Sequence, residues 1–162
     1  MVGNFPFRKF CIPLNFLIKS KNNNMAKVLV FGTFDIFHAG HRFLLRQAKE
    51  YGDFLRVVVA RDITVLQVKG RAPQHSEQAR ADVIKKSGLA DEVVLGSLND
   101  KYEVVRDFKP DVVCLGYDQK FFIDSLRKKL DETGLEKTKI VRLEPHNEEK
   151  YKSSILRKKG LQ

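Results

Sequence analysis

The chain has 162 residues, 43% of them hydrophobic, with 30 Lys and Arg against 20 Asp and Glu and a formal net charge of +10. That length holds a single core of ordinary size, and no apolar stretch approaches the roughly 20 residues that a membrane span needs. Two cysteines, Cys11 and Cys114, provide no disulfide framework, which fits a reducing cytoplasm.

The positive balance suits polyanionic substrates such as nucleoside triphosphates, and would equally suit nucleic acid. Most basic residues, however, alternate with acids, as in Arg127-Lys128-Lys129-Leu130-Asp131-Glu132, the pattern of a solvated face. No aromatic-plus-basic platform for single strands stands out, so neither a nucleic-acid nor a membrane partner is expected.

In chain order, residues 1–24 stand apart. They hold Arg8, Lys9, Lys19 and Lys21 but no acid, and end in Asn22-Asn23-Asn24 before Met25. The segment reads as an extension upstream of a true start at Met25, or as a disordered leader. A signal peptide is the rival reading, but Pro13 and Asn15 interrupt its apolar run and no small-x-small cleavage site follows. Residues 25–162 form the expected domain.

Lys27-Val28-Leu29-Val30-Phe31 reads as a buried parallel strand ended by Gly32. Leu44, Leu45, Ala48 and Tyr51 then recur at helical spacing, placing a helix start near Ala39 or Gly40 and its close at Gly52. Between strand and helix lies Gly32-Thr33-Phe34-Asp35-Ile36-Phe37-His38-Ala39-Gly40-His41. A helix start offers backbone N–H groups and the positive end of a dipole to an anion. Gly32 and Gly40 would keep that site open to a phosphate, and His38 and His41, three apart on the first turn, would aim at one oxyanion, a phosphate favouring their charged form. A zinc site of the two histidines with Asp35 is the alternative, but zinc asks for three or four ligands and the cysteines are far off in sequence; no metal ligand set is assigned.

Phe54 to Ala60 is a second strand, followed by a loop Val68-Lys69-Gly70-Arg71-Ala72-Pro73 able to bring two cations over a triphosphate. Ser76 caps a helix running to Ser87 and stopped by Gly88, and Glu92 to Leu95 is a third strand. Asn99 or Asp100 caps a helix ended by Pro110, Asp111 to Leu115 is a fourth strand closed by Gly116, and Asp118 to Thr133 is a long helix. Lys139 to Leu143 is a fifth strand, and Ser153 or Ser154 starts a last helix. Strict alternation implies an α/β fold, with about five parallel strands and helices on both faces. Ligands in such sheets sit beyond the carboxyl ends of the strands.

The stretch Gly32-Thr33-Phe34-Asp35 followed by His38-Ala39-Gly40-His41 resembles the GTFD…HxGH signature of the cytidylyltransferase-like nucleotidyltransferases, and the resemblance runs from Met25 to about Lys158. It implies a three-layer Rossmann-like (HUP-type) domain and transfer of a nucleoside monophosphate from ATP or CTP to a phosphorylated small molecule, with release of pyrophosphate. His38, His41 and Lys69 would be catalytic. Gly32, Thr33, Phe34, Asp35, Gly40, Arg71, Asp118, Ser153 and Ser154 would bind nucleotide, and Mg²⁺ would come with the triphosphate. Asp118 can equally cap its helix. In the last loop, Glu144 to Ser154, the family's arginine is missing, with Lys150, Lys152 or Arg157 as replacements. The Lys-Gly-Arg-x-Pro loop, Gly116-Tyr117-Asp118-Gln119 and the Ser-Ser pair resemble archaeal-type FAD synthases, which points toward ATP and FMN rather than CTP and an alcohol phosphate. A nucleotide sensor without turnover is the rival of another class, and a homodimer is left open.

Overall fold

The computed structural model describes residues 25–119 and 123–145. The expected extension 1–24 and the last helix with Ser153 and Ser154 lie outside these residues. The elements run β1 (Lys27–Gly32), α1 (Ala39–Lys49), β2 (Phe54–Val59), α2 (Asp62–Lys69), α3 (Glu77–Ser87), β3 (Glu92–Leu95), α4 (Glu103–Phe108), β4 (Val112–Leu115), α5 (Ile123–Glu132) and β5 (Lys139–Arg142).

The strands form one parallel sheet in the order β3-β2-β1-β4-β5. Alternation along each strand feeds two cores. Val28 and Val30 of β1, with Leu55, Val57 and Val59 of β2, pack under Leu45 and Ala48 of α1 and Ala81 and Ile84 of α3. Leu29, Val58, Val113 and Leu115 face the other way, against Val105 and Phe108 of α4 and Leu126 and Leu130 of α5. Helices thus cover both faces, the three-layer arrangement that the alternation predicts.

One edge of the sheet is built for stability. Asp53, Asp91 and Asp111, each just before a strand, accept backbone N–H bonds from Ala26 (2.9 Å), Leu55 (2.8 Å) and Lys27 (2.8 Å). These carboxylates end the ladders at the amino edge. The carboxyl edge, where strand order reverses between β1 and β4, is left for the loops.

Three elements differ from the sequence reading. Residues 62–69 form a helix, so Lys69 is the last residue of α2 and not a loop residue, and Gly70 follows in the left-handed conformation (φ 67°). Helix α4 starts at Glu103 with Tyr102 as its cap residue. Ser97 Oγ and Asp100 Oδ1 instead accept backbone N–H bonds from Asp100 and Tyr102, and these turns consume residues 97–102. Asp118 sits in a turn, five residues before the described start of α5, and is exposed.

Candidate active site

The loop after β1 folds tightly because its residues are held from several directions. Phe34 and Ile36 both take the left-handed backbone conformation (φ 54° each), which costs a non-glycine residue about 1–2 kcal/mol. Phe34 is buried, 3% exposed, with its ring edge-on to His41. Asp35, 4% exposed, accepts backbone N–H bonds from Gln74 (3.0 Å) and His75 (3.2 Å), and its Oδ1 lies 3.3 Å from the His75 ring nitrogen Nδ1. The strained turn is thereby pinned to the segment ahead of α3.

The histidines sit at the start of α1 as expected. His38 is the cap residue of α1, and its Nδ1 accepts the Gly40 N–H at 3.1 Å. That bond needs a lone pair on Nδ1, so the ring is neutral and carries its proton on Nε2. His41 stacks on His38 with centroids 3.9 Å apart and on Phe37 at 5.8 Å. Burial lowers the His38 pKa. Burial, then the charges of His38 and Lys69, push His41 down to about 3, against a small opposing effect of Asp35. With no anion beside them both imidazoles are thus neutral donors, the charged form having been expected only with a phosphate neighbour. His41 Nδ1 is buried without a hydrogen-bond partner among the described residues.

The glycines do different work from that expected. A Cβ at Gly32 would fall 2.6 Å from the Phe34 ring, so Gly32 makes room for Phe34. The Gly40 N–H is taken by His38. Thr33 adjoins them, with its carbonyl oxygen accepting from Arg80.

Lys69, at the end of α2, lies close enough for its charge to act on His41. Arg71 is exposed two residues on. Asp118 lies in the Gly116–Gln119 turn, its Oδ1 3.7 Å from where a Gly116 Cβ would stand. The structure therefore brings together the first loop, the end of α2 and the turn after β4, while Ser153 and Ser154 fall outside the described residues.

Two arginines escaped the sequence reading, and Gln119, read there only as part of the segment after the fourth strand, has a structural role. Arg80 of α3 is 2% exposed and donates to Thr33 O, Ala60 O (2.8 Å), His75 O (3.0 Å) and Asp62 Oδ1 (2.6 Å). It joins the loops after β1 and β2 to the start of α2. A signal was available, for Arg80 stands four before Ile84, on the helix stripe that is buried. Gln119 bridges Gly116 N (2.8 Å) and Phe31 O (2.6 Å), closing the reversal point between β4 and β1. Arg142, at the end of β5, donates from Nη1 to the carbonyl oxygens of Gly116 (3.0 Å), Tyr117 (3.1 Å) and Gln119 (3.0 Å).

A strained loop, stacked imidazoles at a helix start and a reversal of strand order beside them define a nucleotide-binding α/β enzyme. Residues 29–159 match the cytidylyltransferase-like family model, and the chain belongs to that family of nucleotidyltransferases. It is 39% identical over 135 residues to the FAD synthase of Thermoplasma acidophilum, covering 83% of this chain and 94% of that one. To the FAD synthase of Pyrococcus abyssi it is 43% identical over 122 residues, covering 75% and 82%. A crystal structure described as the lipopolysaccharide core biosynthesis protein of Thermoplasma volcanium superposes with a TM-score of 0.71 at 39% identity, covering 76% of this chain and all of that one. The expected Rossmann-like fold and family are both met. No helix among the described residues is long and apolar enough to cross a membrane.

Proposed function

We propose that this nucleotidyltransferase is an FMN adenylyltransferase, joining ATP and FMN to give FAD and pyrophosphate. The observation that carries the reading is the pair of neutral, stacked imidazoles at the start of α1, one of them with a buried nitrogen lacking a partner among the described residues. The choice of flavin rests on relatives about 40% identical that are named FAD synthase.

In this reading a phosphate oxygen of FMN attacks the α-phosphorus of ATP in line. The bond to the bridging oxygen breaks, and pyrophosphate carries away the electron pair. The reaction asks the protein for positioning and for donors where charge grows. His38 Nε2–H and an N–H of His41 donate to phosphate oxygens, a role a neutral imidazole fills without a proton changing hands. Lys69 steadies the β- and γ-phosphates with Arg71 beside it, Thr33 and the backbone at Gly32 orient the α-phosphate or the acceptor, and Asp118 contacts the nucleoside. Ser153 and Ser154 would hold a phosphate of the nucleotide.

Phe34 and Asp35 act at one remove, shaping and anchoring the first loop. Among the described residues no three metal-ligating side chains cluster, and two backbone N–H groups occupy the Asp35 carboxylate. Mg²⁺ would come with the triphosphate, where it would neutralise charge on the phosphates.

The test is pyrophosphate release from ATP or CTP with FMN, glycerol 3-phosphate, phosphocholine, phosphoethanolamine and phosphopantetheine. Turnover of ATP with FMN at least tenfold above every other pair is expected. Turnover only with CTP would move the chain to the cytidylyltransferases, and triphosphate binding without pyrophosphate release would make it a sensor.

A further inference from the structure

We propose that Arg142 is a positioning residue that shapes the nucleotide crevice from behind, without touching the reacting atoms. The inference rests on the nucleotidyltransferase reading but not on the choice of flavin.

The turn after β4 has no ladder to hold it, since β4 and its partners end below it. Its carbonyl groups at residues 116, 117 and 119 converge instead on one nitrogen, Arg142 Nη1, at 3.0, 3.1 and 3.0 Å. Three carbonyl dipoles facing one point repel one another, and the guanidinium, though exposed, offsets that repulsion and holds the turn together with the Gln119 N–H bond to Gly116 O. The same turn is tied to the end of β1 through Gln119, whose amide donates to Phe31 O and accepts from Gly116 N. Phe31 is the residue before Gly32. A single cation at the end of β5 is thus linked through one glutamine to the loop that carries His38 and His41.

This also bears on the arginine missing from the last loop. A guanidinium does stand at that edge of the sheet, but it comes from the strand before the loop, and it holds backbone. Because the turn borders the crevice where strand order reverses, its loss would loosen nucleotide binding. The histidines at the start of α1 also have supports of their own, the His38 bond to the Gly40 N–H and the stacking on Phe37, so the rate of the bound complex would change little.

The experiment measures the Kd of ATP and of CTP by titration, with KM and kcat from pyrophosphate release, for the wild type, Arg142→Met and Arg142→Lys. Arg142→Met should raise the nucleotide Kd and KM about tenfold with kcat within about threefold. Arg142→Lys, whose ammonium can still donate to three carbonyls, should recover most of that loss. Unchanged nucleotide affinity in Arg142→Met, or equal losses in kcat and KM that Arg142→Lys does not repair, would overturn the proposal. If Arg142→Met does not fold, Arg142→Gln replaces it, with the same outcomes read the same way. A wild type that binds neither nucleotide would instead refute the nucleotidyltransferase reading itself.

Discussion

At the residue scale the two histidines share a helix turn but differ in what holds them. His38 is fixed by its bond to the Gly40 N–H, which settles both its tautomer and its rotamer. His41 is held by stacking between His38 and Phe37, and its buried nitrogen gives it hydrogen-bonding capacity to spare for a phosphate. Removing one preorganised donor typically costs about 10²–10³ in rate. His41→Ala is therefore expected to lower kcat by about that factor, and His41→Asn, which keeps an N–H, to recover part of it in steady-state assays. Neutral donors also predict a kcat profile flat from about pH 6 to 9, without the limb near 6.5 that an essential imidazolium would impose. The histidine pair was legible in the sequence because its spacing and its helix start are local. The neutral state was not, since it follows from burial and from stacking on Phe37.

At the scale of elements, the sequence reading succeeds where caps are local and fails where they come from afar. Ser76 and Gly88 bound α3 as read, with Ser76 Oγ accepting the Ala79 N–H. Helix α2 was missed because its signals are remote. Ile63, Leu66 and Val68 are exposed and only Val65 is buried, so the residues show no strong stripe. Its first turn is satisfied by Glu77, fifteen residues on, in a reciprocal pair of bonds between Asp62 and Glu77.

Arg80 completes that junction, and its charge is buried. Removing one partner of a buried ion pair usually costs about 3–5 kcal/mol, and Asp62 here keeps some solvent, so Arg80→Met should destabilise by about 3 kcal/mol in urea unfolding. Arg80→Lys should recover little, since an ammonium cannot span four acceptors reached from three nitrogens. A lysine variant as stable as the wild type would show that the fork geometry is dispensable.

At the scale of the molecule the two edges of the sheet divide the labour. Aspartates at the amino edge close strands by satisfying backbone donors, while the carboxyl edge carries strain at Phe34 and Ile36, a buried arginine and imidazoles forced neutral. The last of these couples function to stability. With the His41 pKa lowered from 6.5 to about 3 in the folded state, the unfolded chain takes up the proton first. The stability from this site is thus complete above about pH 6.5 and is lost as pH falls towards 3; the His38 shift has the same sign. Denaturant unfolding at pH 7.5 and 5 should show the wild type losing more stability on acidification than His41→Asn. Equal losses would mean that His41 is not forced neutral.

The sequence by itself determined what depends on near neighbours: the strand and helix alternation, the cap at Ser76, the loop between β1 and α1, and the family that these residues resemble. Only the tertiary structure decided what depends on groups that meet across the sheet. It showed Asp35 anchoring residues 74 and 75, Gly32 making room for the Phe34 ring, and Arg80 and Arg142 clamped on backbone carbonyls. The reason is one of range. Periodicity and capping act over about four residues, whereas the carbonyl oxygens that capture those guanidiniums lie 5 to 47 positions away, and nothing in a local pattern reports which guanidiniums the fold will hold on backbone.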